Sequence, residues 1–555
     1  MTIKAVRNIR RISQVVFFLV FFWLILKTNF EVNFNPSDPT AINLPYPVSI
    51  ALQFDPLAAL ATLLATGTLY KGLLWCLVIL IPTIFIGRFF CGWVCPLGTL
   101  NHWISEIPSE RARRKGKSLM DANRYKKYQR IKYYILFFFL AAAFTGTLQA
   151  GLLDPLPLLA RSIGTVILPT IHTASLGVLA WIKDLGFPPL GAAAQFVYDV
   201  IAAVLLPFRQ MHFHTIITIG LLFVVVVVLN RVFTRFWCRG ICPLGALLGL
   251  FSRFALFGLE KDESTCDNCR KCLLHCQGAD NPDPGSVWRQ AECHLCLNCQ
   301  AVCPHSSLKF KFFPNQKVTG TNPAYTPRVD ASRRKVVASL AGGAAFLPLM
   351  RAGDAFEINA SERLIRPPGS TSEAEFLSRC IRCGQCMRVC PNNALHPTLF
   401  EAGLEGLWTP IMIARIGYCE HTCTLCGQVC PTGAIRELTV KEKIGGDNRP
   451  PVRIGTAFID RNRCLPWAMA KPCIVCEEWC PTSPKAIYLE EDTVIDGSGR
   501  EVAVKKPHIN PELCTGCGAC EKACPVIDRP AVYVTSVGES RSERNQILLE
   551  RKGTS

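Results

Sequence analysis

Twenty-nine of the 555 residues are cysteine, and twenty-four of them fall into six groups of four. In chain order these are Cys266, Cys269, Cys272 and Cys276; Cys293, Cys296, Cys299 and Cys303; Cys380, Cys383, Cys386 and Cys390. Then come Cys419, Cys423, Cys426 and Cys430; Cys464, Cys473, Cys476 and Cys480; and Cys514, Cys517, Cys520 and Cys524. Four groups follow C-x2-C-x2-C-x3-C; the 419 group opens with x3 and the 464 group with x8. Proline follows the last cysteine in five of six, and Gln277 takes that place in the first. Three closely spaced thiolates wrap one corner of an iron–sulfur cubane, and the fourth reaches a partner cluster. The alternative for four cysteines, tetrahedral zinc, usually separates two C-x2-C knuckles by a longer loop. A chain of this length has no need of a disulfide scaffold, and disulfides do not call for compact quartets. All twenty-four cysteines are therefore read as ligands of six [4Fe–4S] clusters. The first two groups are expected to exchange their last cysteines, Cys303 joining the first set and Cys276 the second. For the last four groups, sequential and nested pairing both fit the order.

Four more cysteines form two C-x-x-x-C-P words, Cys91 with Cys95 and Cys238 with Cys242. Residues four apart share one face of a helix. If the halves are related, the four thiols could converge as a metal or cluster site or as a redox-active dithiol; close helix packing is the plain alternative. They are the candidate redox motif. Cys76 stands alone in an apolar run and reads as a small filler. His212 and His214, beside Arg209, could hold a quinone headgroup, ligate a haem, or simply face water. There is no C-x-x-C-H, no Walker loop and no G-x-G-x-x-G in a strand–turn–helix setting. No c-type haem, flavin or nucleotide is predicted.

The elements that must carry these residues start with the apolar first 260 residues of the chain. Half the residues are hydrophobic, 18% are charged, and the mean hydropathy is +0.24, too apolar for a soluble protein of this size. Spans are predicted at 12–26, 73–90, 133–153 and 213–229, with weaker stretches at 162–182 and 192–206. The formal charge of +18 concentrates before the first span and in the 111–132 loop, whereas 28–70 has no Lys or Arg. The positive-inside rule places both basic segments in the cytoplasm and accounts for the charge without nucleic acid. A Pro/Asn/Thr-rich linker precedes Ser332-Arg333-Arg334-Lys335 and the small-residue apolar run 336–350, like a twin-arginine export signal. The expected organisation is a transmembrane domain over 1–260, a two-cluster ferredoxin domain over 261–312, a linker over 313–330 and a signal or anchor over 331–352. A four-cluster ferredoxin domain over 353–535 and a poorly ordered polar tail over 536–555 complete it. The fold class is multi-domain: an N-terminal α-helical transmembrane bundle plus α+β bacterial-type 2[4Fe–4S] ferredoxin modules. Short strands are expected at 434–435, 486–489 and 531–534.

With both C-x-x-x-C-P words and two ferredoxin motifs, residues 1–310 resemble the NapH/MauN membrane polyferredoxins; this half is also similar to NosR and CcoG proteins. Residues 331–535, with the twin arginine and four motifs, resemble the NapG/MauM ferredoxins. The chain looks like a fusion of the two. The resemblance implies a quinol dehydrogenase component of the periplasmic nitrate reductase type, multi-pass in the bacterial inner membrane. It would use the quinone pool as donor and a periplasmic reductase or c-type cytochrome as acceptor. Residues 261–312 would be cytoplasmic and 353–555 periplasmic. The alternative it allows is an electron-supplying maturation factor for a copper or other redox enzyme. Gln277 departs from the usual Cys-Pro.

Overall fold

A computed structural model describes residues 3–30, 34–35, 38–106, 117–205, 210–232, 234–284, 286–314, 325–326, 329–351, 362–446, 449–495 and 497–547. Arg209, most of the 313–330 linker, the basic residues at 111–115 and the last residues of the tail lie outside them. The chain divides into two compact units. One comprises Met1–Ile25, Ile50–Ile163 and Ile217–Leu349, and the other Leu26–Ser49, Gly164–Ile216 and Met350–Ser555.

In the first unit two of the apolar helices are shorter than the apolar stretches that predict them. The stretch 73–90 becomes a 3-10 turn, Lys71–Cys76, and a helix, Leu77–Ile86, that ends at Gly87 (φ +106) just before the buried Arg88. That left-handed glycine is what lets the chain turn where a helix would continue. The stretch 133–153 ends as a helix, Ile131–Phe144, ahead of Thr145-Gly146-Thr147, with Gly146 at φ +99. Among the described residues two helices are long and apolar enough to cross a membrane, Ala5–Lys27 and Pro155–Asp184. The second contains the weaker stretch 162–182. It carries a π-turn at Ser162–Ile167, which lets it continue through Pro169.

Leu57, Tyr133, Leu136, Ala142, Ile219, Leu247 and Leu248 form part of the apolar core of this unit. Within it lies a charged network. Lys132 Nζ and the Tyr133 hydroxyl both donate to the Glu292 carboxylate, and Arg88 Nη1 donates to the Ala291 carbonyl at 2.8 Å. The helix Arg333–Arg351 packs through glycine. A Cβ on Gly343 would lie 2.2 Å from the Phe138 carbonyl oxygen, and Phe346 meets the Phe138 ring edge-on. Strands Phe257–Lys261 and Leu308–Phe312 pair antiparallel and bracket the first two cysteine groups.

The second unit holds two further α+β modules. The first has antiparallel strands Leu395–Pro397 and Pro410–Met412, with short helices Gln385–Val389 and Leu425–Gln428. The second pairs Thr456–Ile459 with Val532–Thr535, and adds a hairpin of two nine-residue strands, Ile487–Ile495 with Glu501–Ile509. The hairpin extends well beyond the strand expected at 486–489. Ala434-Ile435 forms only an isolated bridge, Ser370 to Ile435. The tail differs from expectation as far as Ile547. Ser536 and Glu539 are buried, and Arg541 bridges Glu373 and Glu539 at 2.7 Å each. These ion pairs and Ser536 N–H to the Glu362 carbonyl fasten a polar segment that composition alone marks as loose.

Candidate iron–sulfur centres

The four regular C-x2-C-x2-C loops share one backbone device. The residues on either side of the second cysteine are left-handed: Asn268 and Arg270, Leu295 and Leu297, Arg382 and Gly384, Gly516 and Gly518. Two such turns curl the loop so that three Sγ atoms face one volume. Side-chain-bearing residues there are strained by about 1–2 kcal/mol each, a cost that a filled site offsets.

Each short helix then carries the fourth cysteine away from its own loop. Cys266, Cys269 and Cys272 line a cavity of about 420 Å³ together with Cys303, while Cys276 faces Cys296. Cys380, Cys383 and Cys386 share a pocket with Cys430, and Cys390 faces Cys419 and Cys423. Cys464, Cys473 and Cys476 share one with Cys524, and Cys480 faces Cys514, Cys517 and Cys520. The crossed arrangement expected for the first two groups is present. In the last four groups it is sequential, 380 with 419 and 464 with 514.

These surroundings fit iron–sulfur cubanes. Among the described residues no three His, Cys, Asp or Glu side chains close on a single point as a one-ion site requires; the thiols surround volumes instead. Backbone N–H groups of Asn268, Ala394, Ile435 and Ala457 donate to the Sγ atoms of Cys266, Cys390, Cys430 and Cys514 at 3.3–3.4 Å. Burial pushes the Cys423 and Cys476 thiols up to about 12, so a thiolate there needs the compensating charge of bound metal.

The two modules of the second unit meet at cysteine. Cys419 N–H donates to the Cys517 carbonyl at 2.8 Å, and Arg415 donates to the carbonyls of Cys524 and Val526 at 3.0 Å. The four thiol quartets therefore adjoin one another in the order 380 set, 419 set, 514 set and 464 set. At the last of these Met469, Ile474 and Ile527 are exposed.

The C-x-x-x-C-P cysteines also converge, all four buried. Cys95 lies within electrostatic reach of Cys91 and Cys238, and Cys242 of all three. His212 and His214 are brought beside two histidines that sequence reading passed over. The His214 ring lies 5.5 Å from that of buried His396, Asn393 Nδ2 donates to the His212 carbonyl at 2.8 Å, and His212 lies within electrostatic reach of His172. His172 Nε2 is 3.4 Å from the Tyr198 hydroxyl, and the Nδ1 atoms of His172 and His396 are buried without a hydrogen-bond partner. Cys76 is buried against Ala59 and Leu73.

The family matches follow this geometry. Residues 379–434 and 436–527 each match a 4Fe-4S dicluster domain, the two modules that the thiols define. Residues 68–115 and 213–260 match a 4Fe-4S binding domain. A further dicluster match, 292–395, joins the second quartet to the third; the thiols pair differently, within each unit. The ferredoxin-type protein NapG of Escherichia coli (strain K12) is 35% identical over 188 residues, 33% of this chain and 75% of that protein. The methylamine utilization ferredoxin-type protein MauM of Methylorubrum extorquens is 37% identical over 180 residues, 32% of this chain and 74% of the relative. MauM of Paracoccus denitrificans is 33% identical over 215 residues, 37% and 84%. No solved structure matches.

Proposed function

This chain belongs to the family of ferredoxin-type iron–sulfur electron-transfer proteins that includes NapG and MauM, and from that premise we propose that it oxidises membrane quinol and delivers the electrons to a periplasmic reductase or cytochrome. The observation that carries the reading is the succession of four adjoining quartets in the second unit, joined where Cys419 meets Cys517. A succession of adjoining clusters suits one-electron hopping from one end to the other. The twenty-four cysteines would hold six [4Fe–4S] clusters, each supplying a one-electron centre when bound.

A NapH/MauN-like first half would anchor the chain in the membrane, with residues 261–312 cytoplasmic and 353–555 exported through the twin arginine. Two observations support the membrane part. Ile12, Leu19 and Trp23 on one helix, and Ile217, Leu221, Val224 and Val228 on another, expose large apolar side chains, a surface that lipid would cover.

Quinol must shed two protons for its two electrons, and clusters take none. In the second unit His172, His212, His214 and His396 gather beside the first module. His172 and His396 offer partnerless Nδ1 atoms that would accept those protons. Electrons would enter the succession at the first module and leave at the Cys464 end, where the exposed apolar residues would seat the acceptor.

Adding a quinol analogue to the purified, membrane-reconstituted protein should reduce clusters seen by EPR. No reduction at any accessible potential would sink the proposal. A second reading is an electron supply for maturing a copper or other redox enzyme; the MauM relatives are named only for methylamine utilization. Slow single-turnover reduction of a copper enzyme precursor, without sustained turnover of a reductase, would favour it.

A further inference from the structure

The second unit holds a cavity that lies outside the thiol quartets. Its volume is about 230 Å³, and its walls come from 366–372 in the first module, 452–454 in the second and 539–541 in the tail. Four arginines line it, Arg366, Arg436, Arg453 and Arg541, with one carboxylate, Glu539. A second carboxylate, Glu373, stands behind the wall between Arg366 and Arg541, at 2.6 and 2.7 Å. Four guanidinium groups against two carboxylates leave an excess of two positive charges. Glu442, within electrostatic reach of Arg436, is matched by Arg449.

The arginines are not equally engaged. Arg366 is fully buried and bonded to Glu373, Thr409 and the Pro410 carbonyl, so it is part of the wall. Arg541 gives Nε to Glu539 and Nη1 to Glu373, and its Nη2 has no partner among the described residues. Arg453 gives Nη2 to the Glu512 carbonyl and keeps Nε and Nη1. Its backbone is pinned to Ser540 in both directions, at 2.8 and 2.9 Å. Arg436 is exposed, with its own amide fixed on the Gly369 carbonyl at 2.8 Å and no side-chain bond among the described residues. Thr371, in the same wall, has a buried hydroxyl without a partner. Rigid backbone thus presents free donors from three guanidinium groups and one hydroxyl to a single space. Guanidinium forks match pairs of oxygens on a tetrahedral oxyanion.

We propose that this cavity binds a dianionic oxyanion of the phosphate class, held by Arg436, Arg453, Arg541 and the Thr371 hydroxyl. The charge excess selects the dianion; a phospholipid headgroup, a phosphodiester, brings one negative charge and leaves one arginine unmatched. The site also reaches the clusters. Arg366 lies within electrostatic reach of Cys380, and Arg453 of Cys514. A bound dianion offsets those positive charges and so favours the less negative, oxidised state of what the 380 and 514 sets hold. Binding needs no quinol, so it stands or falls apart from the proposed donor.

The test is equilibrium dialysis of radiolabelled inorganic phosphate against the purified full chain at constant ionic strength, with an EPR-monitored redox titration beside it. Arg436→Gln and Arg453→Gln should each weaken binding by about tenfold or more. Arg436 has no protein bond to lose, so that variant should keep the native iron content. Saturating phosphate should lower the midpoint potentials of two centres in the native chain and leave them in place in Arg436→Gln. Sulfate should compete; chloride at equal ionic strength should not. Glycerophosphoglycerol, the soluble diester headgroup, should compete more weakly than phosphate. Tighter binding of the diester would overturn the dianion assignment in favour of a lipid. Phosphate binding unchanged in both variants, or potential shifts reproduced by chloride, would overturn the site itself.

Discussion

Lys443 Nζ donates to Cys419 Sγ at 3.3 Å, placing a buried ammonium against one sulfur of the quartet that joins the two modules. The same group donates to the carbonyls of Glu420 and Cys423 at 2.5 and 2.6 Å, so its position is fixed from three sides. A positive charge at that distance favours the more negative, reduced state of whatever those thiolates hold.

Lys443→Met should therefore lower the midpoint potential of one cluster in the second unit and leave the others in place. It should also cost about 1–3 kcal/mol of stability, because two buried carbonyls lose their donor. An EPR-monitored redox titration reads the first effect. A uniform shift of all clusters, or none, would contradict the assignment.

Glu373 reports on acid stability. Burial would raise its carboxyl, but Arg366 and Arg541 outweigh it and hold it down at about 2. A depressed carboxylate stabilises the fold fully above its unfolded value, and that contribution is lost as pH falls from about 4.5 towards 2. It is worth up to about 3 kcal/mol. Glu373→Gln should lower stability at neutral pH by roughly that amount and flatten the acid limb of the unfolding profile below pH ~4.5. The tail segment around Arg541 should loosen with it, seen as faster amide exchange.

His396 acts in a different window. Burial first, and then neighbouring His214, pull its imidazole down to about 4, against the Asn393 carbonyl. A base held below its unfolded value costs stability as pH falls through about 6.5 towards 4, because the unfolded chain takes the proton first. Melting temperature should drop between pH 7 and pH 5 in the native chain, and less so in His396→Gln. Glu373 does not titrate over that interval, so the two effects separate.

The cluster loops make a backbone prediction. Gly516 sits at φ +72, and a Cβ there would lie 2.5 Å from the Gly455 carbonyl oxygen. Gly499, at φ +80, has nothing within 4 Å. Gly516→Ala should reduce iron content in the purified chain, whereas Gly499→Ala should cost only about 1 kcal/mol and keep every cluster. Equal iron in both variants would mean that the loop does not need its close approach to Gly455.

The cysteine spacing carries the chemistry and the modules openly, since a thiol sequence of that kind has few other uses. The crossed Cys276 and Cys303 are legible for the same reason. What was not legible is what depends on contact at a distance. Sequential rather than nested pairing is decided by Cys419 meeting Cys517, which no interval along the chain encodes. Arg88 lies inside one predicted span and Arg235 just beyond another, and nothing along the chain marks that both are buried. The hairpin to Ile495 was hidden because Glu490, Glu491 and Asp492 look like loop; they are solvent-facing strand residues opposite Lys506, Lys505 and Val504. Two apolar runs also overstate helix length: Gly87 and Gly146 end helices that composition would extend.

The exchange of fourth cysteines has a consequence for biosynthesis. A loop holding three thiols has an open corner until a segment far downstream arrives; Cys464, Cys473 and Cys476 wait for Cys524 across the whole hairpin between them. On the proposed ligation, a ribosome-bound fragment would display half-built sites able to gain and lose iron. Each module would therefore mature as a unit, after its second motif has emerged. Truncation after Cys480 should strip iron from two centres at once rather than from one.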